Sequence, residues 1–290
     1  MSELNLDLPG ELKRVAREIV YDIDQAAIQL YDNGFRRHLG ASLIGEPCYR
    51  KLWFGFRWVY KVPLEGRQLR LFNRGHREEA RFTEWLRLKG HIVNDLDPAT
   101  GLQWRVDAVG GHFGGSQDGE MFLAPKYNYK EPMLLEYKTN GTGAGFNKVK
   151  EQGIRIGKPV HSDQMNTYGT IKKYKYGVYL NVNKNDDDIA CEVVKLDWDR
   201  GAALETKARV IILSQEAPPR IAENPSAQVC QWCDYKDVCY FREPLQKNCR
   251  SCVNASPIAD KQWQCKKWNA TIPEEAIAAG CGDWTAIYKS

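Results

Sequence analysis

Apolar residues recur at three- and four-residue steps through residues 11–32, where Leu12, Val15, Ile19, Ile23, Ala26 and Leu30 predict an amphipathic helix packed on a core. A second helical pattern covers residues 69–89, with Phe72, Glu79, Phe82 and Leu86 along one side and Gly75 inside it. From residue 90 to 139 the pattern turns to strands at 91–93, 104–109, 120–123 and 133–139, with turn signals at Gly110-Gly111 and Gly114-Gly115. Residues 140–158 are rich in Gly and Lys and read as a mobile loop with a short helix. Helices are predicted at 160–173 and 198–215, and strands at 177–182 and 191–196 joined by a hairpin turn at 183–188. Pro218, Pro219 and Pro225 mark a boundary, after which cysteines crowd the chain. There is no internal repeat and no low-complexity tract.

A chain of 290 residues with 43% hydrophobic and 27% charged content holds one large domain, or a main domain with an appendage. The net charge of +4 is compatible with nucleic acid without being evidence for it. No apolar run reaches the ~18 residues of a membrane span. The first residues lack a basic-then-apolar signal pattern, so a cytoplasmic location is expected. The nine cysteines would stay reduced there, which favours metal or cluster ligation over disulfides.

Chemistry concentrates in Leu134-Leu135-Glu136-Tyr137-Lys138-Thr139. Side chains alternate on a strand, so Glu136 and Lys138 project from one side. Upstream, Gly115-Ser116-Gln117-Asp118-Gly119 is turn-rich and can present Asp118 at a strand start. A carboxylate beside an ammonium, with an acid upstream, suits a metal-assisted hydrolytic site; a surface ion pair is the plainer reading of Glu-x-Lys alone. His76 and Glu79 are neighbours on their helix, and Gln164 and Tyr168 lie four apart on one face of another. The run Lys51-Leu52-Trp53-Phe54-Gly55-Phe56-Arg57-Trp58 can stack on bases, but its aromatics read for the most part as core.

In their order along the chain, Gly75-His76-x2-Glu79, Asp118-Gly119, Glu136-Tyr137-Lys138 and Gln164-x3-Tyr168 resemble the PD-(D/E)xK nuclease superfamily, and its RecB-like branch in particular. That branch includes CRISPR-adaptation nucleases and phage-encoded exonucleases. The resemblance covers roughly residues 40–240. It implies an α/β fold with a central mixed sheet flanked by helices, and a Mg²⁺- or Mn²⁺-dependent deoxyribonuclease, an exonuclease for preference, acting in recombination, repair or phage DNA processing. Asp118, Glu136 and Glu79 or His76 would hold the ions, with the Tyr137 carbonyl completing the shell. Lys138 would orient the attacking water or stabilise developing charge, and Gln164 and Tyr168 would position the site and the strand. The alternative is a DNA-binding accessory subunit that uses the fold as a scaffold. No Walker-type loop is present, so unwinding would need a helicase or recombination partner.

Some members of the branch hold a 4Fe–4S cluster with one cysteine before the core and three after it, and this chain has Cys48, then Cys230-x2-Cys233-x5-Cys239. Zinc on the same four sulfurs is the alternative. Beyond the resemblance, Cys249-x2-Cys252-x12-Cys265-x15-Cys281 has the spacing of a tetrahedral zinc site. Cys191, in a strand pattern, reads as a buried apolar residue. The expected organisation is therefore an N-terminal helical segment (1–39), a nuclease domain (40–244) and a zinc-ribbon-like tail (245–290).

Overall fold

The computed structural model describes residues 9–141, 144–241 and 245–288. Helix α1 (Pro9–Tyr31) is followed by strand β1 (Leu39–Gly40), α2 (Tyr49–Phe56) and α3 (Gly66–Leu88). Strands β2 (Ile92–Asn94), β3 (Arg105–Ala108), β4 (Phe113–Ser116), β5 (Gly119–Phe122) and the longer β6 (Met133–Asn140) come next. Helices α4 (Ala144–Gln152), α5 (Ile154–Gly157) and α6 (Pro159–Lys172) lead to β7 (Tyr176–Asn183), β8 (Ile189–Lys195) and α7 (Trp198–Leu213). Short helices α8 (Gln228–Gln231) and α9 (Lys236–Tyr240) precede a tail of β9 (Ala255–Pro257), β10 (Trp263–Cys265), β11 (Ala270–Thr271) and α10 (Glu274–Ala279).

The central sheet has the order β2-β5-β6-β7-β8. Only the β6–β7 pair is parallel within it, and helices α4 to α6 make the crossover that such a pair requires. Strand β6 is buried on both faces, which is why it reads as a run of apolar residues. Its alternation sorts the side chains. Met133, Leu135 and Tyr137 join a buried cluster with Phe82 of α3, whereas Leu134 joins the larger cluster with Met165 and Tyr168 of α6. The result is a mixed α/β fold with the sheet between helices. Glu136 and Lys138 take the α6 side.

Several expectations are corrected. Gly114 and Gly115 are not a turn but part of β4, which pairs antiparallel with β3 and parallel with β1. A Cβ at Gly114 would fall 1.8 Å from the Val106 carbonyl oxygen, so the glycine marks close strand approach. Where a mobile loop with a short helix is expected, residues 144–152 and 154–157 form two helices broken at Gly153, because Phe146, Val149 and Ile154 are buried in the core cluster. Cys191 is exposed, since β8 is an edge strand whose alternation turns Ala190 and Val194 inward and Cys191 outward. Helix α1 forms as predicted, but its stripe does not pack: Leu12, Ile19 and Leu30 are 52%, 54% and 68% exposed, and Ala27 alone in the helix is buried. It lies on α3 with its backbone at Asp24 so near Gly66 that a Cβ there would sit 2.5 Å away.

Trp53, Phe54, Phe56 and Trp58 are core, as read, and leave nothing of that run for bases. Tail residues Cys252, Ala255, Trp263 and Ile277 belong to the same buried cluster as α2, so the cysteine-rich segment shares the core of the body. No helix among the described residues is long and apolar enough to cross a membrane.

Candidate active site

Two strands and two helices bring the predicted site residues together. Asp118 sits in the turn between β4 and β5, which buried Gln117 pins by donating from Nε2 to Tyr174 Oη at 3.1 Å. Its Oδ2 accepts the Tyr137 backbone N–H at 2.7 Å, which locks the turn onto β6 beside Glu136. Glu136 is fully buried. Its Oε1 accepts from Gln164 Nε2 of α6 at 2.7 Å and from Lys138 Nζ. Its Oε2 has no hydrogen-bond partner. Tyr168, one helical turn after Gln164, donates to the Ser116 carbonyl at 3.1 Å and so braces the Asp118 turn from α6. From the other side of the sheet, α3 passes the end of β6 at Gly75, where an added Cβ would be 3.7 Å from Thr139 Oγ1. This carries Glu79 and His76 to the site, with His76 Nδ1 at 3.3 Å from Glu79 Oε1.

The electrostatics are those of crowded acids around one amine. Burial, then the charge of Asp118, pushes the Glu136 carboxyl up to about 8 against the pull of Lys138. Burial and Asp118 also raise Glu79, opposed by His76 and Lys138. Burial raises Asp118, opposed by Lys138 and by the Tyr137 N–H. For Lys138 burial acts downward, but Glu136, Asp118 and Glu79 together outweigh it and hold the ammonium above its ordinary value. His161 stays neutral, pulled down to about 3 by burial and by Lys138 and Lys158, with Nδ1 2.9 Å from Tyr179 Oη.

Beside these groups opens a cleft of about 780 Å³, lined by Tyr31, Arg36, Ser42, Phe72, His76, Glu79, Lys138 and Lys184 among others. Glu136 is sealed beneath, while the Lys138 side chain is 25% exposed toward the opening. Arg36, Ser42, Phe72, Lys184 and His161 were not singled out for this site by the sequence. Arg36 comes from a loop that no periodicity places, Lys184 from the hairpin turn at 183–188, where nothing local points to the site, and Phe72 carries an apolar signal indistinguishable from core although it is 57% exposed.

No family model matches the sequence, and no curated protein matches it. Among solved structures, the chain is similar to an alkaline exonuclease (LHK-Exo) from Laribacter hongkongensis at 18% identity and a TM-score of 0.40, over 60% of this chain and 86% of that one. LHK-Exo in complex with dAMP gives the same values. SSO0001 is similar at 13% identity and a TM-score of 0.46, over 77% of this chain and 96% of that one.

Eight of the nine cysteines line two cavities. Cys48, Cys230, Cys233 and Cys239 line one cavity between the start of α2 and the α8–α9 segment. Cys48 caps α2, its sulfur accepting the Lys51 N–H at 3.4 Å. Cys249, Cys252, Cys265 and Cys281 line a second cavity in the tail. As the side chains stand, no group of three or more His, Cys, Asp or Glu among the described residues has the geometry of a metal-ion site.

Proposed function

We propose that this chain is a divalent-metal-dependent deoxyribonuclease of the PD-(D/E)xK type, RecB-like, acting as an exonuclease on DNA that enters the cleft. The observation that carries the proposal is the buried Glu136 oxygen without a partner, set among Asp118, Glu79 and Lys138 at the wall of an open cleft with basic residues. Oxygen donors suit Mg²⁺ or Mn²⁺, and crowded carboxyls whose proton affinity burial and mutual repulsion raise are a fitting donor set for such an ion. Asp118, Glu136, Glu79 and the Tyr137 carbonyl would hold it, with His76 as a further ligand or a phosphate contact. When bound, the ion supplies positive charge that polarises a phosphate and acidifies water.

The chain's own groups do the rest. Gln164 and Lys138 fix the rotamer of Glu136, and the Tyr137 N–H fixes Asp118. Lys138 stays protonated, so its N–H donors remain available to a water or to an oxygen gaining charge at the mouth of the cleft. Arg36 and Lys184 offer charge to backbone phosphates, and the exposed Phe72 ring offers a face to a base. Cys48, Cys230, Cys233 and Cys239 would hold a 4Fe–4S cluster that ties the start of α2 to the chain after α7.

End-labelled DNA incubated with the purified protein and Mn²⁺, with and without EDTA, tests the reading. Cleavage is expected from the wild type and is expected to vanish in Asp118→Ala and Lys138→Ala, with far-UV circular dichroism unchanged. Undiminished cleavage by either variant refutes the site. DNA binding by the wild type without cleavage favours the accessory-subunit reading.

A further inference from the structure

We propose that Cys249, Cys252, Cys265 and Cys281 form a tetrathiolate zinc site whose two net negative charges are balanced by the buried guanidiniums of Arg57 and Arg250. The proposal does not depend on the nuclease reading.

Backbone geometry first brings the four cysteines together. Cys249 and Cys252 bracket a turn closed by the Cys252 N–H to the Cys249 carbonyl at 3.1 Å. Cys265 ends β10 and pairs with Ala270 across a hairpin, so it is held on a ribbon. Cys281 follows α10 through Gly280, whose φ of +66° turns the chain back. The Cys249 N–H donates to the Ile277 carbonyl at 2.8 Å and draws α10 onto the first turn. A two-residue spacer plus a hairpin cysteine is a way for short segments to enclose one tetrahedral ion.

A separate observation concerns charge. Arg57 and Arg250 are 0% and 1% exposed, and neither has a carboxylate partner among the described residues. Arg57 donates from Nη1 to the Ala255 carbonyl at 3.2 Å and from Nη2 to Gln215 Oε1 at 3.3 Å. Arg250 donates from Nη1 to the Arg37 carbonyl at 2.9 Å and lies 4.4–4.6 Å from the ring centroids of Phe56, Trp58 and Trp263. Nε of Arg57, and Nε and Nη2 of Arg250, are left without partners. Two like charges buried together without a counter-anion are strongly unfavourable.

The Ala255 carbonyl that Arg57 holds belongs to a residue whose N–H donates to the Cys252 carbonyl at 3.2 Å, and Ala255 and Cys252 line the same cavity, which sets the guanidinium beside a cavity cysteine. As a neutral thiol it supplies no counter-charge. As a thiolate on a divalent ion it does, because one Zn²⁺ with four thiolates carries two net negative charges, matching two guanidiniums. The Asn254 amide, donating to Cys252 Sγ at 3.8 Å, already favours the anionic sulfur. Ligation draws the sulfurs inward and releases their protons.

The test is elemental analysis of full-length protein purified anaerobically, without chelator, from zinc-supplemented cells. The wild type should carry about one zinc per chain in this set. Cys265→Ser and Cys281→Ser should lose that zinc while any iron stays constant. Arg57→Met should weaken zinc about 10–100-fold in competition with a chromophoric chelator, as loss of a group outside the ligand shell does. Wild-type protein without zinc, or zinc indifferent to Cys265→Ser, overturns the site, and the wild-type measurement needs no variant to fold. Iron rather than zinc lost in Cys265→Ser overturns the metal assignment. Unchanged zinc affinity in Arg57→Met overturns the charge balance.

Discussion

Glu136 shows how one side chain sets the behaviour of the site. Its carboxyl is pushed up to about 8 by burial and by Asp118, so it holds a proton at neutral pH in metal-free protein. A carboxyl whose folded value exceeds its unfolded value contributes stability that is complete below the unfolded value, ~4.5, and is lost as pH rises through about 8. Metal-free protein in EDTA should therefore lose stability between those limits, and Glu136→Gln should flatten that slope in urea titrations. The proton must leave before an ion binds. Apparent Mn²⁺ affinity should thus rise by about tenfold per pH unit up to pH 8 and level off above it, as isothermal titration would read. Gln164→Ala, which frees Oε1 of Glu136, should lower the cleavage rate more than the fold's stability. The pairing of Glu136 with Lys138 is legible from strand alternation alone. The places of Arg36 and Lys184 at the cleft and of His161 beside Tyr179 are not, because each depends on segments far apart in sequence coming together.

Two glycines in site-bearing elements should respond in opposite directions. Gly75 lies inside α3 with room for a methyl group, so Gly75→Ala should stabilise by about 0.5–1 kcal/mol through helix propensity. Gly115 lies in β4 with its missing Cβ 2.5 Å from Tyr168 Oη, so Gly115→Ala should destabilise by about 1–3 kcal/mol and displace the brace on Asp118. Chemical denaturation of both variants checks the signs. Helix α1 teaches a different lesson. Its periodicity predicts a helix correctly but not what lies against it: periodicity reports a face, and only the fold decides whether that face meets a core. Leu12→Ser and Ile19→Ser should change stability by no more than about 0.5 kcal/mol, against about 2–5 kcal/mol for Leu134→Ala in β6.

Across the whole molecule, Trp263 of the tail, Phe56 of α2 and the Arg250 guanidinium form one stack, and His112 Nε2 lies within hydrogen-bonding distance of the tail carbonyls of Ile258 and Gln262. Trp263→Ala should loosen body and tail together, and calorimetry should record a single shifted transition rather than two. Spacing along one segment was enough to mark the helices and strands with clear periods and the shared face of Glu136 and Lys138, because both are local properties of the chain. Only the packing of distant segments made β4 a strand, left the α1 stripe open, set Arg36 and Lys184 along the cleft and buried Arg57 against the tail and the tail's Arg250 against Phe56 and Trp58. Those features depend on which distant segments come within a few ångströms of each other, and no local pattern of residues encodes that distance.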